Sequence, residues 1–314
     1  MSDVAGAEAP VRPAALRPGD TVMLVSPSGP TSPERIARGL ELLAAWGLTP
    51  KLGPNAYGRH GFLAGTDDLR LADLNAALAD PRVRGIICTR GGYGAQRVVD
   101  ALDMTAARRD PKVVVGFSDI TALQLALWRG ARLATLHGPT MGWDDARLPA
   151  GSADSLRAAL TTTEPAVIRP VPAEETAAVG VPGPPVTGTL LGGNLSLLVS
   201  SIGTPDLPDL TGAILLLEEV DEPSYKVDRM LTHLRRAGVL SGLAGVAIGQ
   251  FTGCGDNWGM PVAAVLTDRL GDLGVPVLGG LPVGHGPAQV TVGVGVPATL
   301  DVAAGTLTVE PAVR

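Results

Sequence analysis

Short apolar runs alternate with amphipathic stretches through the first half of the chain. Residues 21–26 (TVMLVS), 84–89 and 113–115 (VVV) are rich in β-branched residues and bounded by polar or turn residues, which predicts buried strands. After the first strand and a loop at 27–31, Ser32 precedes Pro33, and Gly47 stands where the amphipathic pattern stops. That is the usual asymmetry of helix start and stop signals. A second helix is predicted from Thr66, where Asp67 and Asp68 favour the positive end of the helix dipole. Helical spacing also runs over 95–102 and 120–127, and a short strand at 133–136 leads into His137-Gly138-Pro139. Strands alternating with helices predict a parallel sheet covered on both faces, with ligands at the carboxyl ends of its strands. Three loops converge there, at 26–30, 90–94 and 116–119.

The pattern weakens at 143–185, which is polar and proline-rich, so the inter-domain connection is expected there. This divides the chain into an amino-terminal α/β domain at 1–150, a linker at 151–185 and a carboxy-terminal domain at 186–314. The second domain opens with GTLLGGNLSLLVSSIG, read as a strand, a Gly-Gly turn and a helix starting near Asn194. An apolar strand at 213–217 ends in Glu218-Glu219, and Val227, Met230, Leu231 and Leu234 mark one face of a helix closed by Gly238. Strands at 245–251, 275–281 and the closing 290–310, a meander or hairpin, make this half strand-rich.

A chain of 314 residues, 45% hydrophobic, is long enough for two globular domains. Its 41 glycines and 27 prolines stay below the low-complexity range and read as turns between many short elements. A net charge of −6 with 3% aromatic residues excludes nucleic acid as the main partner, so a small ligand is expected. Two cysteines, Cys88 within an apolar strand and Cys254, fit a reducing compartment better than a disulfide scaffold. The amino terminus lacks a signal-peptide pattern and no later stretch spans a bilayer, so the expectation is a cytoplasmic protein without membrane attachment.

Ser118, in KVVVGFSDITALQL, falls at the sharp turn between a buried strand and a helix. A serine there has an exposed hydroxyl beside the amides of a new helix, as an acyl-transfer nucleophile requires. Gly116 and Ser118 fit the nucleophile elbow G-x-S-x-G, but Ile120 replaces its last glycine, and a turn capped by the serine or by Asp119 is the plainer reading. Of the four histidines, His60 and His233 sit in polar surroundings, whereas His137 and His285 each follow an apolar strand and precede glycine. Either could be the base or a hydrogen-bonded structural residue. Glu218 and Glu219 are candidate acids. Because strand side chains alternate, at most one of them faces a shared site, and pattern alone does not choose. Gly92-x-Gly94 fails as a dinucleotide fingerprint because Arg97 occupies the third glycine position. There is no Walker sequence, and the histidines show no metal-ligand spacing. Cys254, Ser26 and Ser28 are weaker nucleophile candidates, lacking a nearby base or an elbow.

Taken in order, GDTVMLVSPSGP, RGGYGAQRVVD, GFSDITAL, HGPTMG, LLGGNLSLL, LLLEEVDEPSYKVDRML, GQFTGC and PVGHG resemble the LD-carboxypeptidase family of serine peptidases, peptidase family S66, over nearly the whole chain. The resemblance implies a flavodoxin- or amidotransferase-like parallel-sheet domain plus a smaller strand-rich α/β domain. It also implies a Ser-His-Glu triad of Ser118, His285 and Glu218, with the backbone amides of Gly92 and Asp119 as oxyanion hole. The implied reaction removes terminal D-alanine from muropeptide tetrapeptides in peptidoglycan recycling, without metal or organic cofactor, in a homodimer. Arg90 is the candidate cation for a substrate carboxylate, with a salt bridge to a neighbouring acid as the alternative. Asn194 is a candidate substrate hydrogen-bonder or a simple helix cap. Two other readings stay open: a same-family hydrolase of peptide-nucleotide antibiotics, of the microcin C immunity type, and a non-catalytic two-domain protein that closes on a small ligand.

Overall fold

The valine run shows how the first half is layered: Val113 and Val115 face one apolar core and Val114 the other, as the two-residue period of a strand requires. In the computed structural model, which describes residues 9–141, 150–255 and 259–314, five such strands form a parallel sheet. They are β1 (Thr21–Val25), β2 (Thr49–Leu52), β3 (Val83–Cys88), β4 (Val113–Gly116) and β5 (Thr135–His137), interleaved with helices α1 (Pro33–Ala45), α2 (Asp67–Ala79), α3 (Met104–Arg109) and α4 (Ile120–Ala131). Their spatial order is β5-β4-β3-β1-β2, so the chain reverses direction across the sheet between β1 and β3. A crevice opens outside the carboxyl ends of the strands at such a reversal.

Two elements differ from the sequence pattern. Residues 95–102 form two short 3-10 turns rather than one helix, because Asp103 accepts the Ala106 N–H at 2.8 Å and starts α3 only there. The edge strand β2, TPKL, has no apolar alternation to announce it. Its Pro50 and Lys51 are the residues that protect an exposed edge from further pairing.

The remaining chain contributes α5 (Ala150–Thr161), β6 (Ala166–Ile168), β7 (Gly180–Val181), β8 (Val186–Asn194), α6 (Leu195–Ser200), β9 (Ile214–Val220), α7 (Ser224–Arg236), β10 (Gly245–Thr252), α8 (Val262–Leu270), β11 (Val277–Leu278), β12 (Val292–Val294), β13 (Val296–Asp301) and β14 (Thr306–Val309). The stretch read as a linker therefore carries a helix and short strands: Leu156 and Leu160 of α5, one turn apart, reach the core. Part of that stretch, 143–149, lies outside the described residues, as do 1–8 of the amino-terminal segment and 256–258 after Cys254.

The second sheet has the order β6-β14-β13-β8-β9-β10-β11-β7, parallel from β8 to β11 and antiparallel at both margins. The closing stretch splits between the sheets. While β13 and β14 form the expected hairpin, β12 pairs antiparallel with β5, Val292 opposite His137, and so stitches the end of the chain onto the first sheet. A strand pattern reports that a segment is extended, not which edge it will join.

The two sheets also share a core. Val22, Leu24, Ile87, Val115 and Leu136 of the first pack in the same cluster as Leu190, Ile214, Leu216 and Ala247 of the second. Each such buried Val, Leu or Ile contributes about 1.5–3 kcal/mol, which holds the two sheets in register.

Candidate active site

Ser118 follows β4 in the left-handed backbone region, with φ 63°. A non-glycine residue there costs about 1–3 kcal/mol, a strain that clusters at sites where chemistry requires it. Phe117 C=O accepts the Ile120 N–H at 3.2 Å and Ser118 C=O the Thr121 N–H at 2.9 Å, so α4 begins at once and the serine sits at the elbow. Asp119 makes no side-chain cap to α4, which sets aside the plainer capping alternative for that residue. The RGGYG loop lies directly over the serine: a Cβ on Gly91 would stand 2.8 Å from Ser118 Cβ and 3.1 Å from its Oγ, so only glycine allows the approach. Among the described residues, the amides of Gly92 and Asp119 donate to no protein acceptor.

The Asp119 side chain has a task the sequence does not announce. Its Oδ2 accepts the Ser28 hydroxyl at 2.5 Å and the Ala95 N–H at 2.8 Å, tying together the loops after β1, β3 and β4. Burial raises its pKa, opposed by those two hydrogen bonds and by Arg70. Arg70, 1% exposed on α2, donates to the Pro27 and Gly94 carbonyls and pairs with Asp67, so a buried guanidinium laces the same loops from below. In DDLRLADL it reads as one more solvated helix charge, and no local signal distinguishes it. The rival nucleophiles are structural: Ser26 bonds Ala56 C=O and the Thr89 hydroxyl, Ser28 bonds Asp119, and burial pushes the Cys254 thiol up to about 12.

Strand parity separates the two candidate acids. Ile214 and Leu216 face the core shared by the sheets, whereas Leu215 and Leu217 face α6 and α7. Glu218 continues the first face and meets His285, Oε2 to Nδ1, at 2.6 Å; its side chain is fully buried. Glu219 continues the second and accepts from Asn194 Nδ2 at 3.0 Å and the Ser196 N–H at 2.8 Å at the start of α6. Burial would raise the Glu218 pKa, but the charge and hydrogen bond of His285 outweigh it and hold the carboxyl below its ordinary value. Burial would likewise lower His285, and Glu218 outweighs it, leaving the imidazole above its ordinary value. Gly284 makes the pair possible, because a Cβ there would stand 2.8 Å from Glu218 Oε2. Gln250, buried in β10, fixes the loop beyond: it accepts the Gly286 N–H at 2.7 Å and donates to Ala288 C=O and Glu174. A lone glutamine inside the apolar strand GVAIGQFT is the signal that could have found it.

The His285 ring centroid lies 4.6 Å from that of Phe117, the residue before Ser118, so the imidazole stands against the elbow. His137, at the end of β5, is buried beside Phe117, 6.0 Å ring to ring, with neither nitrogen hydrogen-bonded among the described residues; burial pulls its pKa down to about 4. His285, not His137, therefore carries the carboxylate partner a general base requires. His60 and His233 are exposed and distant in sequence role, as expected. Asn194 caps α6, its Oδ1 accepting the Leu197 N–H at 3.3 Å, while its Nδ2 serves Glu219 and its amide also favours the charged form of Glu218, so this buried side chain is engaged within the fold. Arg90 forms no salt bridge among the described residues; it donates to Pro30 C=O at 2.8 Å and lines a cleft beside Gly92. No group of metal-ligating side chains occurs among the described residues, and no described helix is long and apolar enough to cross a membrane.

Two family models match the chain, the LD-carboxypeptidase N-terminal domain over residues 22–138 and the LD-carboxypeptidase C-terminal domain over 187–300. A protein of Streptomyces coelicolor named "putative carboxypeptidase" is 45% identical over 96% of this chain and 96% of its own. A probable murein peptide carboxypeptidase of Bacillus subtilis is 36% identical over 96% and 95%. The crystal structure of muramoyltetrapeptide carboxypeptidase from Oxalobacter formigenes superposes with a TM-score of 0.81 at 28% identity, covering 92% of this chain and 98% of that one. With an elbow serine and a buried Glu-His pair on its two sheets, the chain belongs to the LD-carboxypeptidase family, peptidase family S66, and is a serine-type peptidase by that membership.

Proposed function

We propose that the protein hydrolyses the bond between the L-centre of a diamino acid and a terminal D-alanine in muropeptide tetrapeptides, a cytoplasmic step of peptidoglycan recycling. The observation that carries this reading is the Glu218–His285 pair at 2.6 Å, packed through Phe117 against the strained elbow of Ser118. With Nδ1 engaged by Glu218, Nε2 of His285 is the nitrogen free to take the Ser118 proton as Oγ attacks the scissile carbonyl carbon. Glu218 stabilises the imidazolium, and the amides of Gly92 and Asp119 receive the tetrahedral oxyanion, each well-placed donor contributing about 3 kcal/mol. The imidazolium passes its proton to the departing amine of D-alanine. Water, deprotonated by the same imidazole, then releases the acyl group from Ser118.

Arg90 takes the terminal carboxylate of the peptide, and Asn194 is assigned a hydrogen bond to the substrate backbone. In this reading the nucleophile comes from 1–150 and the acid and base from 186–314, across the connection at 151–185, and the working unit is a homodimer. Incubation with a muropeptide tetrapeptide should release D-alanine, detected by mass spectrometry, and Ser118→Ala should abolish it. Release by both proteins alike would reject the triad. Hydrolysis of an acyl-sulfamoyl adenylate with none of the tetrapeptide would move the substrate to the peptide-nucleotide class, and light scattering that reports a single chain would remove the dimer.

A further inference from the structure

The loops after β1 and β3, on either side of the chain reversal in the first sheet, enclose an open cleft of about 550 Å³ lined by Gly29, Pro30, Phe62, Arg90, Gly92 and Tyr93. A crevice outside the carboxyl ends of strands at a reversal is where open α/β sheets take their ligands. Two of its walls are aromatic. Phe62 is 67% exposed and Tyr93 50% exposed, and their rings meet edge-on with centroids 5.6 Å apart. Phe62 is held there by a tight turn in which His60 and Leu63 exchange backbone hydrogen bonds of 2.8 and 3.0 Å, while Tyr93 is part of the loop that carries Gly92. Two aromatic rings that meet outside the core, from separate loops, forgo burial that each would otherwise gain, and an aromatic pair of this kind offers a ligand an apolar surface.

The cleft also has its own cation. Arg97 is bonded to Asp67, and Arg70 is consumed by two carbonyls and Asp67, but Arg90 spends one N–H on Pro30 C=O and pairs with no carboxylate among the described residues. In a carboxypeptidase the leaving residue is the terminal one, so its carboxylate lies one residue from the carbonyl that the oxyanion hole holds. Arg90 stands two positions before Gly92 and shares its cleft. A residue anchored there by its carboxylate must place its side chain in the remaining space, beside Phe62 and Tyr93, and the methyl of alanine fills little of it.

We propose that this cleft is the subsite for the leaving residue, and that it accepts D-amino acids with apolar side chains larger than methyl, including aromatic ones, against Phe62 and Tyr93. The inference rests on the carboxypeptidase reading above. The test uses the full-length protein and a series of tetrapeptides that differ only in the fourth residue: D-alanine, D-leucine and D-phenylalanine. Release from the D-phenylalanine and D-leucine peptides should occur with kcat/KM at least equal to that for D-alanine. Phe62→Ala and Tyr93→Ala should each lower the ratio of kcat/KM for D-phenylalanine to that for D-alanine, together about tenfold, mainly through KM, because the rings bind ground and transition states alike. Arg90→Ala should raise KM for every peptide, with partial recovery in Arg90→Lys. A wild-type preference for D-alanine over the larger residues, or a Phe62→Ala effect equal on all peptides, would overturn the subsite alone. No release from any peptide would overturn it together with the carboxypeptidase reading.

Discussion

Replacing Glu218 by glutamine tests the centre of the site. The substitution keeps size and shape but removes the charge that meets His285 Nδ1 at 2.6 Å in full burial. The carboxylate does two things that an amide cannot: it accepts only, which holds the proton on Nδ1 and leaves Nε2 as a base, and it offsets the imidazolium that forms when Ser118 is deprotonated. An amide can turn its NH2 towards Nδ1 and favour the wrong tautomer. Acid-to-amide exchange in a triad lowers kcat by about 10⁴, and at about 1.4 kcal/mol per decade a loss of 10³–10⁴ corresponds to roughly 4–5.5 kcal/mol of lost transition-state stabilisation. KM should change little, because Glu218 touches no substrate.

The pH profile adds a readout that a merely structural role would not move. In the wild type Glu218 outweighs burial and keeps the His285 pKa above its ordinary 6.5, so the acid limb of kcat/KM should lie above that pH. In Glu218→Gln the largest opposition to burial is gone, leaving only the weaker pull of Glu219 and Asp221, and the limb should move to lower pH. Glu219→Gln is the control, since its carboxylate holds Asn194 and Ser196 rather than an imidazole. A Glu218→Gln protein that folds, retains more than a tenth of the wild-type kcat and keeps its acid limb would refute the assignment. So would a larger kcat loss in Glu219→Gln.

Two further outcomes follow from buried groups. Asp119→Asn can still turn one oxygen towards Ser28 and Ala95, but it removes the charge that strengthens both hydrogen bonds and puts an NH2 in place of the second oxygen, which should cost about 1–3 kcal/mol in urea unfolding and lower kcat more than it changes KM, as the proposed oxyanion loops loosen; unchanged kcat at reduced stability would limit Asp119 to a structural part. His137 has a folded pKa of about 4 against 6.5 unfolded, so between those values the unfolded chain takes up a proton that the folded chain does not, and stability falls with pH by up to about 3 kcal/mol. His137→Asn should lose that part of the slope in melts taken from pH 7 to 4, and an identical slope would refute it.

Much of this was legible where local physics decides. The VVVG run and the serine that follows it, the Ser32-Pro33 start of α1 and the Asn194 start of α6 all appear where pattern and capping chemistry put them. The rule that adjacent strand residues face opposite ways correctly separates Glu218 from Glu219. It cannot say which face meets a histidine, because that depends on which core each face of β9 packs against, 67 residues from His285 in the chain. Arg70 shows the same limit more sharply. Nothing in a helix of alternating charges reveals that one guanidinium is buried beneath two loops. The edge strand β2 is silent for the opposite reason: a strand designed to repel partners looks like a loop.

The position of the site follows from the shared core rather than from either sheet alone. Each sheet ends its apolar layer at its carboxyl edge, and the layer that both contribute to, with Val115 and Leu136 on one side and Ile214 and Leu216 on the other, must end where both edges do. At that margin the next residue along β9 is Glu218 and the next turn after β4 is Ser118, so an acid and a hydroxyl from distant parts of the chain share one boundary. Burial there costs a lone carboxylate several kcal/mol unless a cation-capable partner arrives. The loop carrying His285, admitted by Gly284 and pinned by Gln250, supplies it. In the proposed triad, the requirement that stabilises the buried glutamate is thus the same one that would tune the imidazole for catalysis, which is why changing the charge at position 218 should register in the pH profile as well as in the rate.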